Sequence, residues 1–315
     1  MDVRILVKRI IVGWIILLLL VAFFGRVTIA ETNAGNTAAE FLLIGAGARP
    51  SAMGGAFSAV SEGAVASYWN PAGLTSVETS EFLLSHFAWY QDMTVEYGAY
   101  ARQMSDRMTL AASVTYFNYG AIDGFDLSGL PTGEISAYDI AGAISLGYKT
   151  SEKLSLGLTG KVINQKLDDI SATTFAVDFG TKYDLGRIAL AGVLTNLGPD
   201  ISFDGTTENL PAALHLGLAG YPVEDRLLLT ADVEKRLHGE TVVHQGVEFN
   251  HNGQYFLRSG YSYYPSADER NFATGITLGA GLKFNNAAFD YAYTFEEKYS
   301  SEDLHRFTII FQIGP

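Results

Sequence analysis

The sequence predicts an all-β chain, an antiparallel transmembrane β-barrel of fourteen strands, and three observations carry that expectation. Segments from residue 80 onward alternate apolar side chains with small or polar ones. The connections joining them alternate short and long, as barrel turns and external loops do. No stretch after residue 30 reaches the roughly 18 apolar residues that a spanning helix needs, so a membrane protein here must be a barrel.

The clearest segment runs over 272–284. Phe272, Thr274, Ile276, Leu278, Ala280, Leu282 and Phe284 share one face, and Ala273, Gly275, Thr277, Gly279, Gly281 and Lys283 share the other. Successive strand side chains point to opposite faces, so one face needs an apolar medium and the other cannot have one. Residues 138–148 repeat the pattern, with Tyr138, Ile140, Ile144, Leu146 and Tyr148 opposite Asp139, Ala141, Ala143, Ser145 and Gly147. Residues 287–295 do so again, with Phe289, Tyr291, Tyr293 and Phe295 opposite Ala288, Asp290, Ala292 and Thr294.

Applied along the chain, this reading places strands near 80–90, 94–103, 108–118, 137–148, 154–166, 172–184, 187–197, 212–221, 226–236, 241–250, 254–264, 272–284, 287–296 and 304–313. Tight periplasmic turns fall at 104–107, 149–153, 184–186, 222–225, 251–253 and 285–286; the last is a pair of asparagines suited to positive φ. Longer external loops fall at 119–136, 198–211, 265–271 and 297–303, whereas the connections after Tyr90, Lys166 and Arg236 are short. Composition agrees: Tyr and Phe together number 36, Gly 33, and only 17% of residues are charged. A secreted sandwich or propeller also alternates, but its strands average nearer five or six residues.

The N-terminus sets the compartment. Arg4, Lys8 and Arg9 precede an apolar run over 10–24, and small residues follow around Thr28-Ile29-Ala30, so residues 1–30 read as a cleaved export signal rather than a retained anchor. Cysteine is absent, which excludes a lipoprotein anchor, disulfides and thiolate metal sites. Loss of the signal takes the chain from 21 basic and 34 acidic residues, net −13, to 17 and 33, net −16. An acidic chain without a Lys or Arg run offers nucleic acid no footing. The sequence calls for no cofactor.

Residues 31–79 differ in kind from the strands. They are rich in Gly, Ala and Ser, which let backbones approach closely, as a segment folded inside a lumen must. Asn70 before Pro71 also makes a helix start, with Asn as cap and Pro at the first helical position. A short capped helix beside a Gly-rich turn would account for these pieces without any further role.

The GARPSAMGGAFSAV run and the YWNPAGL of residues 68–74, within 41–74, resemble the N-terminal signature of the PorV/PorQ family, a branch of the FadL-type outer-membrane barrels. Over the remaining chain the likeness is architectural, and fourteen is the strand number of FadL-type barrels. The resemblance implies a 14-stranded antiparallel transmembrane β-barrel over 80–315 with a small N-terminal hatch of short helices and loops, 31–79, inside the lumen. Its hatch motif would comprise Arg49, Pro50, Gly54, Gly55, Asn70, Pro71, Ala72 and Gly73. It also implies two uses: FadL-type proteins pass hydrophobic compounds such as long-chain fatty acids, whereas PorV-like members serve type IX secretion by receiving C-terminal signal domains of exported proteins. The partners to expect are therefore outer-membrane lipid, the barrel-assembly machinery, and either a hydrophobic small molecule or such domains.

The sequence departs from both uses. External loops of at most 18 residues are short for gripping a folded domain, and the third strand, 108–118, has no Pro or bulge to open the wall sideways. The chain ends Phe311-Gln312-Ile313-Gly314-Pro315, with Phe311 in place of a terminal aromatic. No metalloprotease, nucleotide-loop or nucleophile-elbow motif occurs, so the chain is expected to be non-enzymatic. A barrel-embedded hydrolase would have to use His215 or His244. The charges expected on inward faces are Asp139, Lys161, Asp178, Lys182, Asp232, Glu234, His244, Glu248, Arg258, Lys283 and Asp290. Their mixed signs suit a salt-bridged lumen that holds the hatch. The functional alternative has Lys161, Lys182, Arg258 and Lys283 contacting an anionic head group.

Overall fold

The structure, a computed structural model, describes residues 37–223, 226–265, 275–295 and 304–314; the expected export signal and residues 272–274 of the twelfth expected strand lie outside these. In chain order the strands are β1 (Ser80–Ala88), β2 (Thr94–Ser105), β3 (Met108–Asn118), β4 (Ile122–Phe125), β5 (Pro131–Ile135), β6 (Ala137–Lys149), β7 (Leu154–Leu167), β8 (Ile170–Asp184) and β9 (Ile188–Leu197). They continue as β10 (Ile201–Phe203), β11 (Thr206–Glu208), β12 (Ala213–Val223), β13 (Leu227–Arg236), β14 (Thr241–His251), β15 (Tyr255–Tyr263), β16 (Ile276–Phe284), β17 (Ala287–Thr294) and β18 (Leu304–Ile313). Fourteen of them close an antiparallel barrel, β1-β2-β3-β6-β7-β8-β9-β12 through β18, with β18 pairing back on β1. Closure leaves no open edge, so every strand satisfies its backbone within the wall.

The alternation read from the sequence is the alternation of the wall. Leu278, Leu282 and Phe289 face outward and exposed, while Thr277, Asp290 and Ala292 face inward and buried. Phe311, opposite Ala287 and Phe82, also faces outward. Strand β3 pairs from Met108 to Asn118 with β6 in unbroken register, as its sequence suggested. Among the tight turns, Asn252 and Gly253 both take positive φ (59° and 70°), whereas between β16 and β17 Asn285 does and Asn286 does not. Two of the long external connections are not plain loops. β4 and β5 form one hairpin outside the barrel and β10 and β11 another.

With the long connections taken as external, residue 37 begins at the external end, where Ala38 N donates to Asn209 O (3.0 Å). Residues 37–79 then descend through the lumen to the start of β1. The lumen is the hydrophobic core. Met53, Phe57, Val60, Val65 and Leu74 pack against Leu83, Tyr97 and wall alanines, and nearer the external end Phe41 and Leu42 pack with Phe87, Phe117, Ile163 and Leu304. Burying that apolar surface is the main force seating the segment.

Candidate functional site

The site is built by the inner segment and the two sides of wall it touches. Towards β14–β18, a short helix, Ala48–Ala52, is followed by Gly54 and Gly55. Gly54 has φ 64°, and a Cβ there would strike the backbone of Tyr261 and Gln245. Its wall neighbour Gly260 is bare for the same reason: the two backbones touch. His244 Nδ1 lies 2.7 Å from Gly54 O, and Ser262 Oγ donates to the same carbonyl (2.8 Å). Ala48 N donates to Thr308 Oγ1 (2.8 Å), and Thr277 Oγ1 donates to Ala52 O (3.1 Å).

Arg49 projects from that helix into an ion-pair chain. Its guanidinium grips Glu248 with two nitrogens (2.8 and 3.0 Å) and also pairs with Glu62. Glu248 accepts in turn from Arg258 Nε (2.6 Å), and Arg258 Nη1 donates to Asp290 (2.5 Å). Burial alone would lower the Arg49 pKa, but the carboxylates of Glu248 and Glu62 hold it well above its ordinary value. Arg49 therefore stays charged, and the chain of alternating signs pins the helix to β14, β15 and β17.

Towards β6–β8 the contacts are of another kind. Gly147, Gly157 and Gly180 are cross-strand neighbours in register, and together they form a strip without side chains. Asn70, Pro71 and Leu74 fill it; a Cβ on Gly157 would meet the backbone at Pro71 and Ala72. Asn70 is fully buried. Its Oδ1 accepts from Ala72 N (3.1 Å), capping the turn Pro71–Ser76 as its sequence predicts, and its Nδ2 donates to Ser58 O (2.9 Å) and Thr181 O (3.1 Å). Lys182 Nζ donates to Ser61 O (3.1 Å), and Thr75 meets Ser155 (2.9 Å).

This segment separates two cavities. The periplasmic one, about 390 Å³, is bounded by Arg49, Phe57, Glu62, Glu81, Arg258 and Lys283. The external one, about 240 Å³, is walled by aromatic rings, with Tyr68, Trp69, Phe87 and Trp89 beside Lys161 and Arg306. Trp69 Nε1 donates to Ala46 O (2.8 Å), and Tyr68 OH donates to Leu42 O (2.7 Å), which orients both rings. Burial pushes the Tyr68 hydroxyl above its ordinary range, so it remains a neutral donor.

The four cations expected from the sequence do not converge. Lys161 borders the external cavity and is paired with Asp178 (2.8 Å). Lys182 holds the segment's backbone, Arg258 belongs to the ion-pair chain, and exposed Lys283 sits at the periplasmic rim. Sequence reasoning missed Arg306, although its alternation against outward Phe307, Ile309 and Phe311 marks it as inward. It is 4% exposed, its guanidinium lies 3.8 Å over the Phe87 ring, and it donates to Ile44 O (3.3 Å) and Ser51 Oγ.

His244 lies between Ser262 (3.2 Å) and Glu234 (3.3 Å), a grouping that resembles a hydrolytic triad. Its proton inventory opposes that use. A carbonyl oxygen only accepts, so Nδ1 must carry a proton to Gly54 O and cannot take one from Ser262. His215, the other candidate base, lies 3.3 Å from the hydroxyl of Thr195.

A closed fourteen-stranded barrel, apolar outside and stoppered inside by its own N-terminal segment, defines an outer-membrane barrel protein with a lumenal plug. Residues 28–237 match the family described as type IX secretion system protein PorV, and the chain belongs to that family. Among solved structures it is similar to the toluene transporter TbuX of Ralstonia pickettii, at 15% identity and TM-score 0.62 over 86% of this chain and 98% of that one. It is similar to the toluene transporter TodX of Pseudomonas putida, at 17% identity and TM-score 0.62 over 84% and 96%. A FadL homologue of Pseudomonas aeruginosa matches at 13% identity and TM-score 0.55 over 90% and 100%. No curated protein sequence matches the chain.

Proposed function

We propose that this protein is a non-enzymatic channel that takes a hydrophobic small molecule from outside the cell into the aromatic external cavity and passes it beyond the hatch, residues 31–79. The observation that carries this reading is the stacking of three compartments along one lumen: an aromatic chamber, a stopper anchored by hydrogen bonds and ion pairs, and a second chamber facing the periplasm. A chamber lined by Trp, Phe and Tyr suits an apolar guest held by ring contacts and area burial. Solved barrels of the same fold include two toluene transporters and a FadL homologue. Residues 1–30 serve as the export signal and are removed in this reading, as the basic residues before an apolar run suggest.

The test uses the chain's own tryptophans, since Trp69 and Trp89 are the only two beyond the export signal and both line the cavity. In lipid nanodiscs, butylbenzene should quench their fluorescence saturably, and Trp69→Phe should remove part of the signal. Linear, unsaturable quenching equal to that of free tryptophan in the same lipid would remove the basis for transport.

A second reading, an accessory role in type IX secretion, draws on the family itself and on the β4–β5 hairpin, whose Phe125, Leu127 and Leu130 stand exposed outside the barrel. Co-purification of a secreted protein's C-terminal domain, lost when residues 122–135 are replaced by a short Gly-Ser linker, would favour it over transport.

A further inference from the structure

The ion pairs among the described residues lie in the lumen or at its mouth, with one exception. His86 on β1 and Glu96 on β2 are cross-strand neighbours on the outward face, 2.6 Å apart, with side chains 47% and 49% exposed. Phe307 flanks the pair on one side and Tyr116 on the other, so it breaks a run of outward aromatic rings near the external ends of both strands. His86 uses Nδ1 and Glu96 one oxygen; neither Nε2 nor the second carboxylate oxygen has a hydrogen bond among the described residues. Lipid tails offer no partner to either group. An anionic lipid head group suits the imidazole but is repelled by the carboxylate beside it. The occupant that fits both offers an acid to the histidine and a donor to the acid, side by side and in reverse order.

We propose that a second copy of this chain supplies that surface, and that two barrels pair through the outward face of β1 and β2 about a twofold axis along the membrane normal. Such an axis sets a side-by-side pair against its own reverse: His86 of each copy faces Glu96 of the other. Protonated, His86 donates from both ring nitrogens, one to its own Glu96 and one to the other copy's, so the four groups close a ring of alternating sign. Strand tilt offsets the facing groups by about 3 Å in height, which a Glu side chain spans. Of the four nearest outward neighbours along the two strands only Leu84 is large; Gly98, Thr94 and Ala88 are small and let the two walls come close. Lipid tails are as apolar as the rest of the wall, so the polar pair is what fixes where the copies meet. The pairing goes beyond the transport reading and stands whatever the lumen carries.

The chain has no cysteine, so single introduced thiols report the contact directly. In outer membranes of the producing cells, Thr94→Cys or Ala88→Cys treated with a short flexible bismaleimide should give a crosslinked dimer. Leu216→Cys, exposed on β12 across the barrel, should not. The decisive arm adds charge changes to the Thr94→Cys chain. Glu96→Lys sets cations against cations and His86→Glu sets carboxylates against carboxylates, so each alone should lose the crosslink by about tenfold or more. Expressed together with different tags, the two should crosslink to each other and not to themselves, because a doubly cationic pair then faces a doubly anionic one. A merely structural role of the pair in the wall would not produce that restoration. Unheated mobility on gels reports whether each variant is folded, and the thiols in the otherwise native chain decide the matter even if a charge variant is not. No crosslink at Thr94 or Ala88, or an equal yield at Leu216, would overturn the proposal. So would a product of another mass, which would mark a different protein as the occupant, and so would co-expression that fails to restore the dimer.

Discussion

The hatch rests on two sides of the same barrel, and they hold it differently. Towards β6–β8 it is fitted: Asn70 and Pro71 lie on the bare strip of Gly147, Gly157 and Gly180, and the bonds are short-range and neutral apart from Lys182. Towards β14–β18 glycines again permit close approach, but a five-member chain, Glu62–Arg49–Glu248–Arg258–Asp290, is added. Steric fit is insensitive to conditions. Paired charges can be exchanged, protonated or competed away, so a segment that moves as proposed would be expected to release on the β14–β18 side and hinge on β6–β8.

The largest effect should come from removing the comparison altogether. Deleting residues 40–74 takes away both contact sets, while the strands keep their hydrogen-bond ladders. The barrel should still fold and show heat-dependent gel mobility. In planar bilayers the intact protein should give small or no conductance steps and the deletion large ones. Equal conductance in the two would mean that the segment does not stopper the lumen. Failure of the deletion to fold would make it structural core and withdraw support from gating.

Breaking only the ionic side is the next step down. Glu248→Gln strips a carboxylate from both Arg49 and Arg258, which retain Glu62 and Asp290. Breaking a buried pair costs roughly 3–5 kcal/mol, and the remaining partners place this case near the lower figure. Conductance events should become frequent while gel mobility stays native. A variant as quiet as the native protein would remove β14–β18 as the releasing side.

Much of this was legible beforehand, for a physical reason. Lipid outside and crowded lumen inside impose opposite demands at every second residue, so alternation declared the strands and their faces, from Leu278 outward to Asp290 inward. The N-terminal elements obeyed local rules as well: Asn70 caps the turn that Pro71 opens. The β4–β5 and β10–β11 hairpins were not legible, because outside the membrane nothing enforces alternation on strands of three to five residues. Pairings were hidden too. That Arg49 meets Glu248, or that Arg306 meets no carboxylate among the described residues, depends on which strands closure brings opposite the segment, and separations of 199 residues leave no local trace.

The smallest effect tests the fitted side with an internal control. Gly157 and Gly160 share β7, but a Cβ on Gly157 would collide with Pro71 and Ala72, whereas one on Gly160 meets nothing within 4 Å. Leu at 160 should therefore be tolerated, as an outward residue added beside Ile144 and Val177 in lipid. Leu at 157 must push the Asn70–Pro71 turn off the glycine strip, and overpacking of this kind costs about 1–3 kcal/mol. Its conductance should rise modestly and its thermal unfolding midpoint should fall, with Gly160→Leu unchanged in both. If Gly157→Leu opens the channel as fully as Glu248→Gln, the assignment of hinge and releasing side is reversed, because a hinge that is displaced should loosen the stopper without freeing it. If both glycine variants behave as native, the strip is not the seat of the turn, and the neutral hydrogen bonds of Asn70 to Ser58 and Thr181 carry that side alone.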